Sequence, residues 1–120
     1  MSDAVRSFDE RRNRGNDLIL EGAPLAVKRF FALDQDVYGD GALPKRTKEL
    51  LGLVASAVLR CDDCIAYHVR EASRAGVSRE ELVESLSVGL VVGGSITIPH
   101  MRRALEFFEE LQAVEEQRRP

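Results

Sequence analysis

The stretch "CDDCIAYH", Cys61 to His68, holds both cysteines of the chain and one of its two histidines. On an α-helix of 3.6 residues per turn, Cys61, Cys64 and His68 fall within about 60° of one another. Three reactive side chains then line one stripe, with Cys64 and His68 direct neighbours at i, i+4. A Cys-x-x-Cys pair in the first turn of a helix can close a disulfide. The helix N-terminus favours a thiolate there. Asp62 and Asp63 oppose it, because negative charge disfavours a nearby thiolate.

An acid can reach this stripe from the preceding helix. Glu49 lies eleven residues before Arg60 and His68 eight after it. If the chain reverses near Arg60, antiparallel helices set the two about 4.5 Å apart along the axis. Glu49 aligns with Leu53 and Ser56 at the edge of an apolar stripe, which predicts a half-buried carboxylate. A carboxylate beside an imidazole, one turn from a thiol, is a base, its orienter and a nucleophile. Two other readings stay open on spacing alone. Free cysteines are often buried and inert. Cys61, Cys64, His68 and Glu49 also make up a four-ligand zinc set, although structural zinc sites usually take only Cys and His.

The pattern E-x11-C-x-x-C-x-x-x-H, read as Glu49, Cys61, Cys64 and His68, resembles the signature of the alkylhydroperoxidase D-like branch of the carboxymuconolactone decarboxylase family. The likeness covers about residues 40 to 110, including "GVSREEL" and "RRALE". It implies an all-helical fold that assembles into trimers or hexamers. It also implies thiol-dependent reduction of a small hydroperoxide, or disulfide exchange with a dithiol or thioredoxin-like reductant. By position, Cys64 matches the attacking thiol, Cys61 the resolving thiol, and Glu49 and His68 the proton relay. One position departs: the best-known peroxidase members carry a histidine between the cysteines, where this chain has Asp63.

The chemistry expected on that basis needs no cofactor and no metal. Glu49 and His68, directly or through a water, take the proton from Cys64. The thiolate attacks a peroxide oxygen and becomes a sulfenic acid. Cys61 closes the disulfide, and an external dithiol resets it by exchange. Two rivals are a redox-sensing or adaptor module without turnover, and a lyase of the kind that names the wider family. His100, at a helix start after Pro99, reads as a surface or interface residue. Tyr67 points away from the cysteine stripe by helical count.

The elements that must position these residues all read as helices, since no segment alternates apolar and polar residues for long. The first, capped by Ser2 or Asp3, runs toward Glu21 and is interrupted by Gly22 and Pro24. A second starts with Pro24, and "GDGALP" is a loop. A third follows Pro44, with Leu50, Leu53, Val54, Ala57 and Val58 on one stripe. The motif helix ends at Gly76. "SREE" is a capping box that opens a fifth. Pro99 starts a sixth, with Met101, Leu105, Phe108 and Leu111 on one face. Gly89 and Gly93, four apart, permit close approach of another helix. The result is one all-α domain spanning residues 1–120.

Composition narrows the function classes. The 120 residues carry a net charge of −3 with 44% hydrophobic and 31% charged residues, ordinary for a soluble globular protein. Without a dominant basic patch, nucleic acid is not an expected partner. The runs "RRNR" and "QRRP" read as solvated helix ends. No signal peptide is visible. The longest apolar stretch, Leu86 to Ile98, is too short for a membrane span of roughly 20 residues. The expectation is a cytoplasmic protein, where a close cysteine pair is more often catalytic or metal-binding than structural. That apolar stretch and the adjacent Phe107 and Phe108 further suggest a homo-oligomer.

Overall fold

Prolines and glycines punctuate the chain where the sequence places them. A computed structural model describes residues 3–118, in six α-helices and one 3-10 turn. They are α1 (Asp3–Leu20), α2 (Leu25–Val37), α3 (Lys45–Leu59), α4 (Asp62–Arg74), α5 (Arg79–Gly93), the turn Ser95–Thr97 and α6 (Ile98–Arg118). Pro24 and Pro44 stand immediately before α2 and α3, where a missing N–H costs nothing. The Ser78–Glu81 capping box opens α5. Helix α1 begins at Asp3, while Ser2 and the end of the "QRRP" tail lie outside the described residues.

The reversal between α3 and α4 builds the site. The Arg60 N–H donates to Ala57 O and the Cys61 N–H to Ser56 O. This pair of bonds closes a helix in a Schellman reversal. Arg60 takes the left-handed conformation, φ 61°, at a cost of about 1–2 kcal/mol for a residue with a Cβ. The reversal places Cys61 at the N-cap of α4, its sulfur accepting from the Cys64 N–H at 3.3 Å.

Helix α3 packs against α4 and α5, and α4 packs against α6. Leu53 and Ala57 of α3, Ile65, Val69 and Ala72 of α4, Leu82 and Leu86 of α5, and Ala104 and Phe108 of α6 form the core. Burying a Leu, Val or Phe side chain contributes about 1.5–3 kcal/mol. Gly89 faces α3, where a Cβ would meet Val54 at an ordinary 3.6 Å, and Gly93 makes room for Thr97, whose Cγ2 would lie 2.5 Å from a Cβ there. The two glycines therefore serve packing within the chain. Phe107 and Phe108 do not form an outward aromatic pair. Phe108 is in the core, and Phe107 meets Phe8 of α1 edge-on at 5.5 Å.

Two apolar surfaces stay uncovered. Helix α2 buries no residue and exposes Leu25, Phe30, Leu33 and Val37. A groove of about 640 Å³ runs between α3 and α5, lined by Leu50, Leu51, Val54, Val58, Val88 and Val92 among others. Among the described residues, no helix is long and apolar enough to cross a membrane.

Candidate active site

Cys61 and Cys64 are joined in a disulfide across the first turn of α4, with Cα atoms 5.3 Å apart. Cys64 is exposed and Cys61 partly so, so an incoming reagent can reach the pair from solvent. One turn further along α4, His68 is buried and turned toward α3.

There it meets Glu49. His68 Nδ1 and Glu49 Oε1 are 2.9 Å apart, as the antiparallel register predicts. Glu49 is more deeply placed than its position at the stripe edge suggests: it is 0% exposed. Lys45, one turn earlier on α3, accounts for this by donating to Glu49 Oε2 at 2.6 Å. Both carboxylate oxygens are thereby satisfied, which a buried charge requires. Burial by itself raises the Glu49 carboxyl. The hydrogen bonds from His68 and Lys45, and their charges, outweigh it and hold Glu49 below the usual range. An ionised carboxylate only accepts, so Nδ1 of His68 carries the proton. Nε2 is then the free base when the ring is neutral.

Nε2 faces Tyr38, whose hydroxyl is 3.5 Å away. Tyr38 follows the last residue of α2, and its ring centroid is 5.3 Å from that of His68. Its phenol is pushed up, first by burial and then by Asp34 and Glu49, so at neutral pH it keeps its proton as a donor. Room for both rings comes from Gly52. A Cβ there would lie 2.6 Å from His68 Cε1 and 2.7 Å from Tyr38 Oη. Tyr67 also takes part: its ring meets the His68 ring edge-on at 5.2 Å, with the Arg12 guanidinium 4.2 Å from its centroid. Arg12 of the "RRNR" run is therefore partly packed, while Arg11 and Arg14 are exposed.

All four sequence-predicted residues thus gather at one corner of α3 and α4, and the glutamate and histidine are bonded. Among the described residues, no hydrogen bond links the imidazole to either sulfur of the disulfide. A catalytic hydrogen bond is often long or unformed until the reacting complex assembles. Among the described residues, no group of three His, Cys, Asp or Glu is arranged to hold a metal ion. Lys45, Tyr38 and Gly52 were missed by the sequence reading. Lys45 alone carried a signal, its i, i+4 spacing to Glu49. His100 lies at the other flank of the cysteine pair, 2.6 Å from Asp62.

The sequence pattern of the carboxymuconolactone decarboxylase family matches residues 24–107, from the start of α2 into α6. The chain belongs to the carboxymuconolactone decarboxylase family. Solved members share this fold. A Thermotoga maritima protein is 53% identical with a TM-score of 0.90, covering 93% of this chain and 98% of that one. A second structure of that protein describes it as a member of this family with a suggested part in the antioxidative response; it is 52% identical, with a TM-score of 0.88, over 92% of this chain and 94% of that one. A family member from Legionella pneumophila is 30% identical with a TM-score of 0.84, over 92% and 98% of the two chains. The alkyl hydroperoxide reductase AhpD of Mycolicibacterium paratuberculosis is 34% identical over 62 residues, 52% of this chain and 35% of that protein. This chain carries its own Cys-x-x-Cys pair, Cys61 and Cys64, at the start of α4.

Proposed function

We propose that the protein is a thiol-dependent antioxidant oxidoreductase that reduces small hydroperoxides. The observation that carries this reading is the Cys61–Cys64 disulfide one turn from a buried, hydrogen-bonded Glu49–His68 pair. The likeness to AhpD and to the Thermotoga protein supports it.

In the reduced protein, His68 Nε2 accepts the Cys64 proton through a bridging water, and Glu49 stabilises the imidazolium that forms. The thiolate attacks the terminal peroxide oxygen. The O–O bond breaks, Cys64 becomes a sulfenic acid, and the alkoxide leaves as an alcohol with the proton that His68 returns. The Cys61 thiol then attacks the Cys64 sulfur, closing the disulfide and releasing water. An external dithiol of thioredoxin-like type restores both thiols and is itself oxidised. The chemistry is complete without a cofactor.

The same reading makes the protein a homo-oligomer, a trimer or hexamer. The α3/α5 groove and the exposed Val88, Val91 and Val92 form a larger apolar surface than scattered single residues would, and a second copy of the chain is the proposed cover.

Steady-state consumption of several hydroperoxides with excess dithiol tests the function, run beside Cys64→Ser. Dithiol-dependent turnover that Cys64→Ser abolishes is the expected result. Oxidation of the pair without turnover would favour a sensor instead.

A further inference from the structure

A second charged cluster flanks the thiol pair on the side away from His68. Asp62, the first residue of α4, stands between Cys61 and Cys64 in the chain. Its Oδ1 lies 2.6 Å from His100 Nδ1, and its Oδ2 lies 3.0 Å from Arg103 Nε. An Arg103 terminal nitrogen is 3.1 Å from His100 Nδ1. Both partners come from the start of α6, so the cluster ties α6 to the turn that carries the cysteines. Burial raises the Asp62 carboxyl, but the hydrogen bonds and charges of His100 and Arg103 together outweigh it and hold it below its usual range. Asp62 is a carboxylate at any pH where the thiols react.

An unpaired carboxylate beside a thiol works against the thiolate, both by direct repulsion and by offsetting the positive end of the helix. We propose that Arg103 is a positioning residue for the thiol pair, with His100 as its support: together they hold the Asp62 carboxylate against α6 and neutralise it, so that the start of α4 favours thiolate. This rests on the thiol chemistry proposed above. Asp63, the other acid between the cysteines, has no ion-pair partner among the described residues. Its charge remains, which makes the neutralisation of Asp62 the adjustable part of the local field. The remaining charged groups around the pair are Arg60 before it and the Lys45–Glu49–His68 set on α3 and α4. Among the described residues none of these bonds to Asp62, so a change at Arg103 leaves them in place.

The alternative is that the cluster merely docks α6 onto α4. Rescue separates the two. The full-length protein is reduced, freed of reductant, and alkylated with iodoacetamide across a range of pH, with no peroxide present. Arg103→Gln is expected to slow Cys64 alkylation at pH 7 by roughly three- to tenfold and to move the pH profile upward, the size expected when a neighbouring carboxylate loses its counter-charge. Asp62→Asn alone, which removes the carboxylate charge and both ion pairs, is expected to stay within about twofold of the parent or to react faster. Asp62→Asn combined with Arg103→Gln is expected to return to that level. The proposal is overturned if Arg103→Gln matches the parent, if the double variant stays as slow as Arg103→Gln, or if Asp62→Asn alone is equally slow. Because the readout is alkylation, a protein that never turns over peroxide still reports on the clamp, and the two ideas fail separately.

Discussion

His68 Nδ1 lies 2.9 Å from Glu49 Oε1, joining α4 to α3 across a carboxylate that no solvent touches. With Lys45 on its other oxygen, each oxygen of the buried Glu49 carboxylate has a charged or polar partner. Breaking either contact leaves a buried charge short of a partner, which costs more than the contact itself contributes.

The depressed Glu49 carboxyl makes stability depend on acid pH. Its folded pKa lies below its ordinary 4.5, so between those two values the unfolded chain binds a proton that the folded chain does not. The contribution is fully present above about 4.5 and is lost as pH falls through the folded value. Denaturant titrations of the parent at falling pH are expected to show that loss, and Glu49→Gln should flatten it. An identical acid limb in both proteins would contradict the assignment.

Gly52→Ala is expected to impair the site without the stability gain that alanine usually gives in a helix, about 1 kcal/mol over glycine. The new methyl would meet His68 and Tyr38 at 2.6 and 2.7 Å. Tyr38 sits at the end of a helix with no buried residues and can yield, while His68 is held by Glu49. Alkylation of Cys64 should slow by about tenfold or more, within the range general-base help supplies, with circular dichroism unchanged. Parent-like alkylation would show that the imidazole position is unimportant.

The helices were legible because their ends carry local chemistry: Pro44 before α3, the Ser78–Glu81 box at α5, Gly76 after α4. The Glu49–His68 register was legible because one reversal, at Arg60, fixes it. Less was legible where contacts come from distant segments. Tyr38 is thirty residues from His68, and no spacing rule joins a residue after α2 to a ring on α4. Gly52 reads as a flaw in a helix until the two rings above it are placed. Glu49 lies deeper than its place at the stripe edge implies, because the Lys45 ammonium satisfies its second oxygen and makes full burial of the carboxylate tolerable. Phe107 and Phe108 suggested a shared interface, but adjacent residues point about 100° apart on a helix, and which elements receive each ring, the core for Phe108 and α1 for Phe107, is set by tertiary packing.

Cys61→Ser is expected to leave the first attack intact and stop turnover, since the Cys64 sulfenic acid would have no partner thiol. A dimedone adduct on Cys64 after one equivalent of hydroperoxide is the expected signature. An adduct absent from this variant, with peroxide still consumed, would place the reaction elsewhere.

Val88→Asp with Val92→Asp should reduce the mass seen by light scattering, because each puts a charge in the α3/α5 groove that a second copy is proposed to cover. Equal masses for parent and variant at micromolar concentration would remove that groove from the assembly.

Mass spectrometry of the reduced protein after one equivalent of hydroperoxide tests the central claim most directly. The account predicts that the peptide spanning Cys61 and Cys64 loses two hydrogens as one alcohol is formed per subunit. Two thiols that still alkylate fully while the peroxide remains would contradict it.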